Sequence, residues 1–176
     1  VVEDVDNTPA LRGAAELQTT IWFGGGYQGM LVAAEREGDP GALACLRGIR
    51  PKLEGFEQGG LSRAMVRRSS FVRDWQMFLQ DYAVVLMPMS GELPFPDQLD
   101  LKDEASFARV WAAQMPQIGI PFMGLPALSV ATGLVGRVPT GVQIVASRYR
   151  EDLCLAAGEA IEAGGTPVSP IDPVTA

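Results

Sequence analysis

The chain has 176 residues and a formal net charge of −7, with 47% apolar and 20% charged residues. This length and composition suit one globular domain and exclude a disordered chain, and the acidic balance argues against nucleic acid and anionic lipid as partners. The sequence holds no histidine, which excludes Ser-His-Asp and Cys-His mechanisms and histidine-bearing zinc sites.

The two cysteines, Cys45 and Cys154, are too few for a four-thiolate metal site or a disulfide scaffold. We therefore expect no metal and no cofactor, and a reducing compartment. The sequence shows no signal-peptide pattern, and its apolar stretches are far shorter than a membrane span. These features predict a cytoplasmic protein without membrane contact.

The N-terminal third is predicted to be helical. Asp6-Asn7-Thr8-Pro9 is typical of a helix start, with Thr8 as the N-cap and Pro9 in the first turn. Apolar residues follow at helical spacing until the break at Gly38-Asp39-Pro40-Gly41. Residues 42–54 then predict a short helix that is broken near Pro51.

A glycine run within this part, Gly24-Gly25-Gly26-Tyr27-Gln28-Gly29, matches the GxGxxG pattern of dinucleotide-binding loops. That pattern binds pyrophosphate where the loop follows the first strand of a βαβ unit. Here the preceding residues favour helix, and no second strand follows at the right distance. We interpret the run as a glycine-kinked helix, and a dinucleotide-binding domain is the alternative that helical structure would exclude.

The strongest helical periodicity runs from Leu61 to Asp81. Its apolar stripe consists of Leu61, Met65, Val72, Trp75, Leu79 and Tyr82. Arg68 interrupts the stripe, so we expect its charge either to reach solvent or to pair with a carboxylate. The same helix carries a basic cluster, for which a solvated face is the ordinary interpretation and a phosphate or tRNA contact the alternative: Arg63, Arg67, Arg68 and Arg73.

Residues 84–87 predict a buried strand that Pro88 ends. Met89 and Ser90 follow it, at the carboxyl end of a strand where α/β sheets frequently bind ligands. The polar residues 91–102 predict a loop and residues 103–115 a helix. The apolar segment from Ile120 to Pro126 is predicted to be extended, because each of its prolines restricts the residue before it.

One side of the helix over residues 103–115 is a candidate pocket wall. Trp111, Gln114, Met115 and Ile118 project from it, and a polar glutamine among large apolar side chains is a common lining pattern. The alternative is that these residues belong to the hydrophobic core and line no pocket. The predicted substrate-binding residues are Met89, Ser90, Trp111, Gln114 and Ile118.

The C-terminal third is predicted to hold two short strands, Ala127–Ala131 and Val142–Ala146, joined by a glycine-containing loop. An amphipathic helix follows from Arg150 to Ala163. The predicted fold class is α/β, with helices packed around a few central strands. Residues 1–166 form one domain in this prediction, and residues 167–176 form an extended tail.

Three stretches resemble the C-terminal end of the amidase signature family: Gly124-Leu125-Pro126-Ala127-Leu128-Ser129-Val130, then Pro139-Thr140-Gly141-Val142-Gln143, then Arg148 to Leu153. The resemblance implies the C-terminal half of a mixed-sheet fold. It also implies a protein that hydrolyses carboxylic amides through a serine acyl-enzyme, with a second serine and a lysine base. Pro121 stands where the family often has asparagine or threonine, and Met87 where it often has threonine.

The catalytic residues of that family cannot be placed in this chain, because it has no Gly-Gly-Ser-Ser-Gly-Gly-like loop. The resemblance therefore implies a segment that is inactive alone and that gives sheet scaffold and one wall of the substrate cleft. The implied partners are a small-molecule amide, the N-terminal half of the same protein and, as a homodimer, a second copy of the chain. The alternative is a non-catalytic binding or assembly module, such as part of a tRNA-dependent amidotransferase subunit, which the basic cluster supports.

Overall fold

The computed structural model describes residues 2–53 and 60–165. In chain order these residues form α1 (Arg12–Gly24), α2 (Tyr27–Glu37), α3 (Pro40–Ile49), a 3-10 turn (Arg50–Leu53), α4 (Gly60–Phe78), β1 (Val84–Pro88), α5 (Leu99–Lys102), α6 (Glu104–Ala113), α7 (Met115–Met123), β2 (Ala127–Val135), β3 (Val138–Ala146) and α8 (Glu151–Ala163). The predicted α/β class is confirmed. The predicted tail, residues 167–176, and its boundary with the domain lie outside the described residues.

The first helix begins later than the sequence predicts. Its N-cap is Leu11, which offers no side-chain hydrogen bond, so the prediction of Thr8 as N-cap and Pro9 in the first turn is wrong. Leu11 lies against α7, where a Cβ on Gly119 would meet the leucine side chain. Packing against α7 therefore places this helix start, and the local N-cap signal does not.

The glycine run lies between two helices. Gly24 ends α1, Gly25 and Gly26 form a turn, and Tyr27 begins α2. The helical interpretation is confirmed on both sides, although the run is a turn between helices and not a kink within one. No strand precedes it from residue 2 onward, so the dinucleotide-binding alternative is excluded.

Helix α4 confirms the predicted periodicity, but part of its predicted apolar stripe is exposed. Trp75 and Leu79 are buried, whereas Leu61 and Met65 are 52% and 46% exposed. Arg68 is half-buried and forms no ion pair among residues 2–53 and 60–165. Its Nε donates to the carbonyl of Phe122 at the C-terminal end of α7, where the negative end of the helix dipole favours a cation.

The three strands form an antiparallel sheet in the order β1-β3-β2. In the register, Val84 lies opposite Ala146, and Leu128 opposite Ile144. Strand β1 is at one edge of the described sheet, none of its residues is fully buried and Leu86 is 48% exposed, so the prediction of a buried strand is wrong. The predicted loop between β2 and β3 is mostly strand, closed by a two-residue turn at Gly136, whose φ is 64°.

Each face of the sheet has its own core. On one face Val145 packs with residues of α1, α4 and α7, and Trp75 and Met123 are almost fully buried there. On the other face α8 covers Ile144 and buries Cys154. Burial raises the pKa of the Cys154 thiol, which lies 3.7 Å from the Pro126 carbonyl and 3.8 Å from that of Ile144.

The segment from Pro116 to Pro126 contains the largest departure from prediction. Residues 115–123 are helical as α7, so the extended conformation expected from Ile120 onward is wrong for residues 120–123. Pro116 lies in the first turn, where a missing N–H costs nothing, and Gly124 ends the helix with a left-handed φ of 65°. Burial of the apolar side chains of α7 outweighs the cost of the internal Pro121.

Residues 91–102 are irregular as predicted except for the short helix α5. Across residues 2–53 and 60–165, no helix combines the length and the apolar character that a membrane crossing requires.

Candidate functional site

A cleft of about 970 Å³ opens where β1 ends. The segment Pro88–Asp100 forms one side, and residues from β2 and β3 form the other, including Ser129, Val130 and Thr140. Its size falls within the range of small-molecule sites. The cleft therefore lies at the carboxyl end of β1, and Met89 and Ser90 are among its lining residues.

Three hydrogen bonds fix the start of the loop that forms this wall. The Gly91 amide donates to the Ala113 carbonyl at 2.8 Å, which ties the loop to α6. The Gln117 side chain of α7 donates to the Met89 carbonyl at 3.1 Å, and the Glu92 amide donates to Ser90 Oγ at 3.3 Å. The backbone around Met89 and Ser90 is thus held by two helices.

An ion pair holds the same loop at a point farther along the chain. Arg109 of α6 donates from Nε to Glu92 Oε2 at 3.0 Å, and its guanidinium lies 5.6 Å from the ring centre of Phe95. The hydrogen bond from Arg109 holds the pKa of Glu92 below its ordinary value. Both charges are exposed, so the pair orients the loop more than it stabilises the fold.

The five predicted site residues divide among three places. Met89, Ser90 and Gln114 line the cleft, Trp111 lines a second pocket, and Ile118 is 5% exposed in the interior. The sequence pattern predicted that Trp111, Gln114 and Ile118 share one helical face. Helix α6 ends at Ala113, however, and Gln114 lies at its junction with α7, so the three side chains diverge.

Sequence reasoning missed Gln117, Glu92 and Arg109. Gln117 follows Gln114 by three residues, and helical spacing in the Pro116 segment would have been the signal for it. Glu92 and Arg109 are 17 residues apart in a loop and a helix, and no local pattern indicates that they meet.

The lining of the cleft offers groups that can bind a ligand. Among the described residues it holds no activated nucleophile. Its lining holds the hydroxyls of Ser90, Ser129 and Thr140 and the side-chain amide of Gln114, next to apolar Met89. No lysine or arginine lines the cleft in the described ranges, and Ser90 has a backbone amide as its hydrogen-bond partner there. Those ranges also contain no cluster of side chains suited to hold a metal ion.

Comparison with known proteins finds relatives that the chain matches in part. It is similar to an indoleacetamide hydrolase of Bradyrhizobium diazoefficiens, with 36% identity over 119 residues, which cover 65% of this chain and 22% of that protein. It is also similar to a glutamyl-tRNA(Gln) amidotransferase subunit of Archaeoglobus fulgidus, with 27% identity over 128 residues, which cover 73% of this chain and 27% of that one. No family model matches the chain.

Solved structures show the same fold. A 6-aminohexanoate cyclic dimer hydrolase complexed with substrate matches with a TM-score of 0.61 and 18% identity, over 90% of this chain and 37% of that one. The corresponding glutamyl-tRNA(Gln) amidotransferase subunit of Thermotoga maritima matches with a TM-score of 0.56 and 24% identity, over 69% and 26%. The chain thus spans between a fifth and two fifths of the length of these proteins.

Proposed function

Because the chain belongs to the amidase signature family, we propose that it is the C-terminal part of an amidase, a hydrolase that cleaves carboxylic amides. Its strands and helices supply scaffold, and the cleft at the end of β1 supplies one wall of the substrate site. The serine nucleophile and its base lie on polypeptide outside these 176 residues in this proposal.

The observation that carries the proposal is the cleft itself. It has the volume of a small-molecule site, and its hydroxyl and amide groups suit the donor and acceptor of a carboxamide. The described lining lacks a serine next to a base, so it suits a binding wall and not a complete catalytic centre. Such a wall needs reacting groups from elsewhere.

Within the cleft we assign substrate contact to Met89, Ser90 and Gln114. Met89 offers an adaptable apolar surface, and the Gln114 side chain can both donate to and accept from an amide. Ile118 is buried in the interior, so we assign it a packing role and no direct contact with the amide. Trp111 faces another pocket, so we assign it no contact with the amide.

Two preparations test the proposal by ammonia release from indoleacetamide. The 176-residue chain alone is expected to show no turnover. A chimera of the Bradyrhizobium hydrolase, in which this chain replaces the matched region, is expected to be active. Turnover by the chain alone, or a folded chimera without activity, would contradict the proposal.

The chimera also tests the binding wall. Gln114→Leu removes a hydrogen-bonding partner and is expected to raise KM by about tenfold. Gln80→Leu is the matched control, because Gln80 is exposed at the end of α4 and outside the cleft. Equal KM values for the two variants would exclude Gln114 from the site.

The proposed partners follow from the surfaces that the described residues leave open. Strand β1 pairs on one side only within the described sheet, and Leu86 is half exposed on it. An open strand edge with an apolar side chain favours pairing with further polypeptide. We assign this edge to the N-terminal half of the same protein and, in its absence, to a second copy of the chain.

A second candidate function is an assembly module of a tRNA-dependent amidotransferase. The similarity to an amidotransferase of Archaeoglobus fulgidus and the exposed Arg63 and Arg67 on α4 favour it. Charge reversal at Arg63 would then weaken tRNA binding and reduce its salt dependence. Retention of tRNA affinity in Arg63→Glu, measured by filter binding over a salt series, would exclude this function.

A further inference from the structure

A second pocket, of about 420 Å³, lies apart from the cleft. Residues of helices α1, α4, α6 and α7 and of the 3-10 turn surround it. Its apolar wall includes Leu17, Trp111 and Met115. The pocket is large enough for a small organic molecule and shares no lining residue with the cleft.

The charges at this pocket oppose those of the protein as a whole. The chain has a net charge of −7, yet the described lining brings together Arg12, Lys52 and Arg67, with Glu16 as the one carboxylate. Three separate elements contribute the three cations. The ion pairs found among the described residues include none of them, being formed by Arg36, Arg73, Arg109 and Arg150.

Stacking and hydrogen bonds hold the aromatic wall of the pocket. Trp111 stacks on Phe107 with ring centres 5.4 Å apart, and its Nε1 donates to Thr19 Oγ1 at 3.0 Å. Thr19 Oγ1 in turn donates to the Ala15 carbonyl at 3.0 Å. The indole is thereby fixed in position before any ligand enters, which lowers the entropy cost of binding against it.

We propose that this pocket binds a small organic anion, with a carboxylate or phosphate group between Arg12, Lys52 and Arg67 and an apolar body against Trp111. Two guanidinium groups can each donate paired hydrogen bonds to such an anion. The site is separate from amide hydrolysis, and the binding test below does not depend on that proposed function.

Nuclear magnetic resonance of the 176-residue chain tests the site through the indole N–H signal of Trp111, assigned with Trp111→Phe. The probes are phenylacetate, phenyl phosphate and the neutral phenylacetamide. At least one of the two anions is expected to shift the signal saturably at concentrations of about 10 mM or below, and phenylacetamide is not. Which anion binds more tightly identifies the preferred anionic group.

Arg67→Gln is expected to weaken binding by about tenfold or more, because it removes a charged donor from the pocket. Arg63→Gln, one turn away on α4 and outside the lining, is the matched control and is expected to bind normally. Lys52→Gln provides a second test on a different element. Each of three results would overturn the proposal. They are no saturable shift with either anion, a shift with phenylacetamide equal to that with the anions, and an unchanged affinity in both Arg67→Gln and Lys52→Gln.

Discussion

Gly141 lies where the two walls of the cleft approach each other. A Cβ at this position would lie 2.6 Å from the Val130 carbonyl oxygen and 3.2 Å from Met89 Sδ. The carbonyl belongs to the backbone of β2, so it cannot move without displacing the strand. A side chain at position 141 therefore disturbs both the hairpin and Met89.

Gly141→Ala is accordingly expected to lower the free energy of unfolding by about 1–3 kcal/mol. Urea unfolding followed by circular dichroism measures it. Gly29→Ala is the control, since a Cβ there meets no atom within 4 Å and alanine favours helix by up to about 1 kcal/mol. Unfolding midpoints that do not differ between the two variants would contradict the close approach at Gly141.

Glu92 gives the cleft loop a dependence on pH. Its pKa lies below the ordinary 4.5 because Arg109 donates to the carboxylate. The ion pair is therefore fully formed above that value and is lost as the pH falls through the lower pKa of the folded state. Arg109→Gln is expected to raise the pKa of Glu92 toward 4.5 in a carboxyl ¹³C titration. An unchanged titration in that variant would show that the pair does not form in solution.

At the scale of elements, α7 contains two prolines with different costs. Pro116 lies in the first turn, but Pro121 lies inside the helix and cannot donate to the carbonyl one turn earlier. Pro121→Ala is expected to raise the free energy of unfolding by about 1–2 kcal/mol, the helix gain being partly offset by a more flexible unfolded chain.

Pro116→Ala serves as the comparison, because the N–H it restores has no partner within the helix. Differential scanning calorimetry of both variants measures the difference. Equal melting temperatures for the two would mean that Pro121 costs the helix nothing.

The helices that the sequence predicts correctly are those whose periodicity is uninterrupted. Helix α8 and the long α4 follow their apolar spacing, and Glu151 and Asp152 mark the start of α8. Helix α7 was not predicted, because its prolines indicated a break. Its burial depends on contacts with α1 and α4. Local rules do not include such contacts.

The same limit applies to the candidate site. Met89 and Ser90 could be placed from the sequence, because the end of a strand is a local signal. Trp111 and Gln114 could not be separated, since their division depends on where α6 ends. The Glu92–Arg109 pair depends on the path of a loop, which no spacing in the sequence encodes.

At the scale of the whole molecule, the part of the chain that the structure describes has a sheet edge without a paired strand, and exposed apolar side chains. Leu86 on β1 and Leu61 and Met65 on α4 are each about half exposed. The relatives are several times longer than the aligned region. Both facts suit a segment that packs against further polypeptide.

The isolated chain is therefore expected to self-associate through β1, and Leu86→Lys is expected to shift it toward monomer. Light scattering coupled to size-exclusion chromatography measures the mass over a concentration series. Leu155→Lys is the control, because Leu155 is 63% exposed on α8 and not on a strand. A monomer at every concentration, or an equal response to both substitutions, would contradict pairing at this edge.

The different burial of the two thiols makes them internal reporters of opening. Cys154 is buried between α8 and the sheet, and Cys45 on α3 is only half-buried. An alkylating reagent such as iodoacetamide should therefore modify Cys45 during local fluctuations, but Cys154 only when α8 detaches. Mass spectrometry of the two modification rates would separate fraying of the helical end from detachment of α8 without any added label.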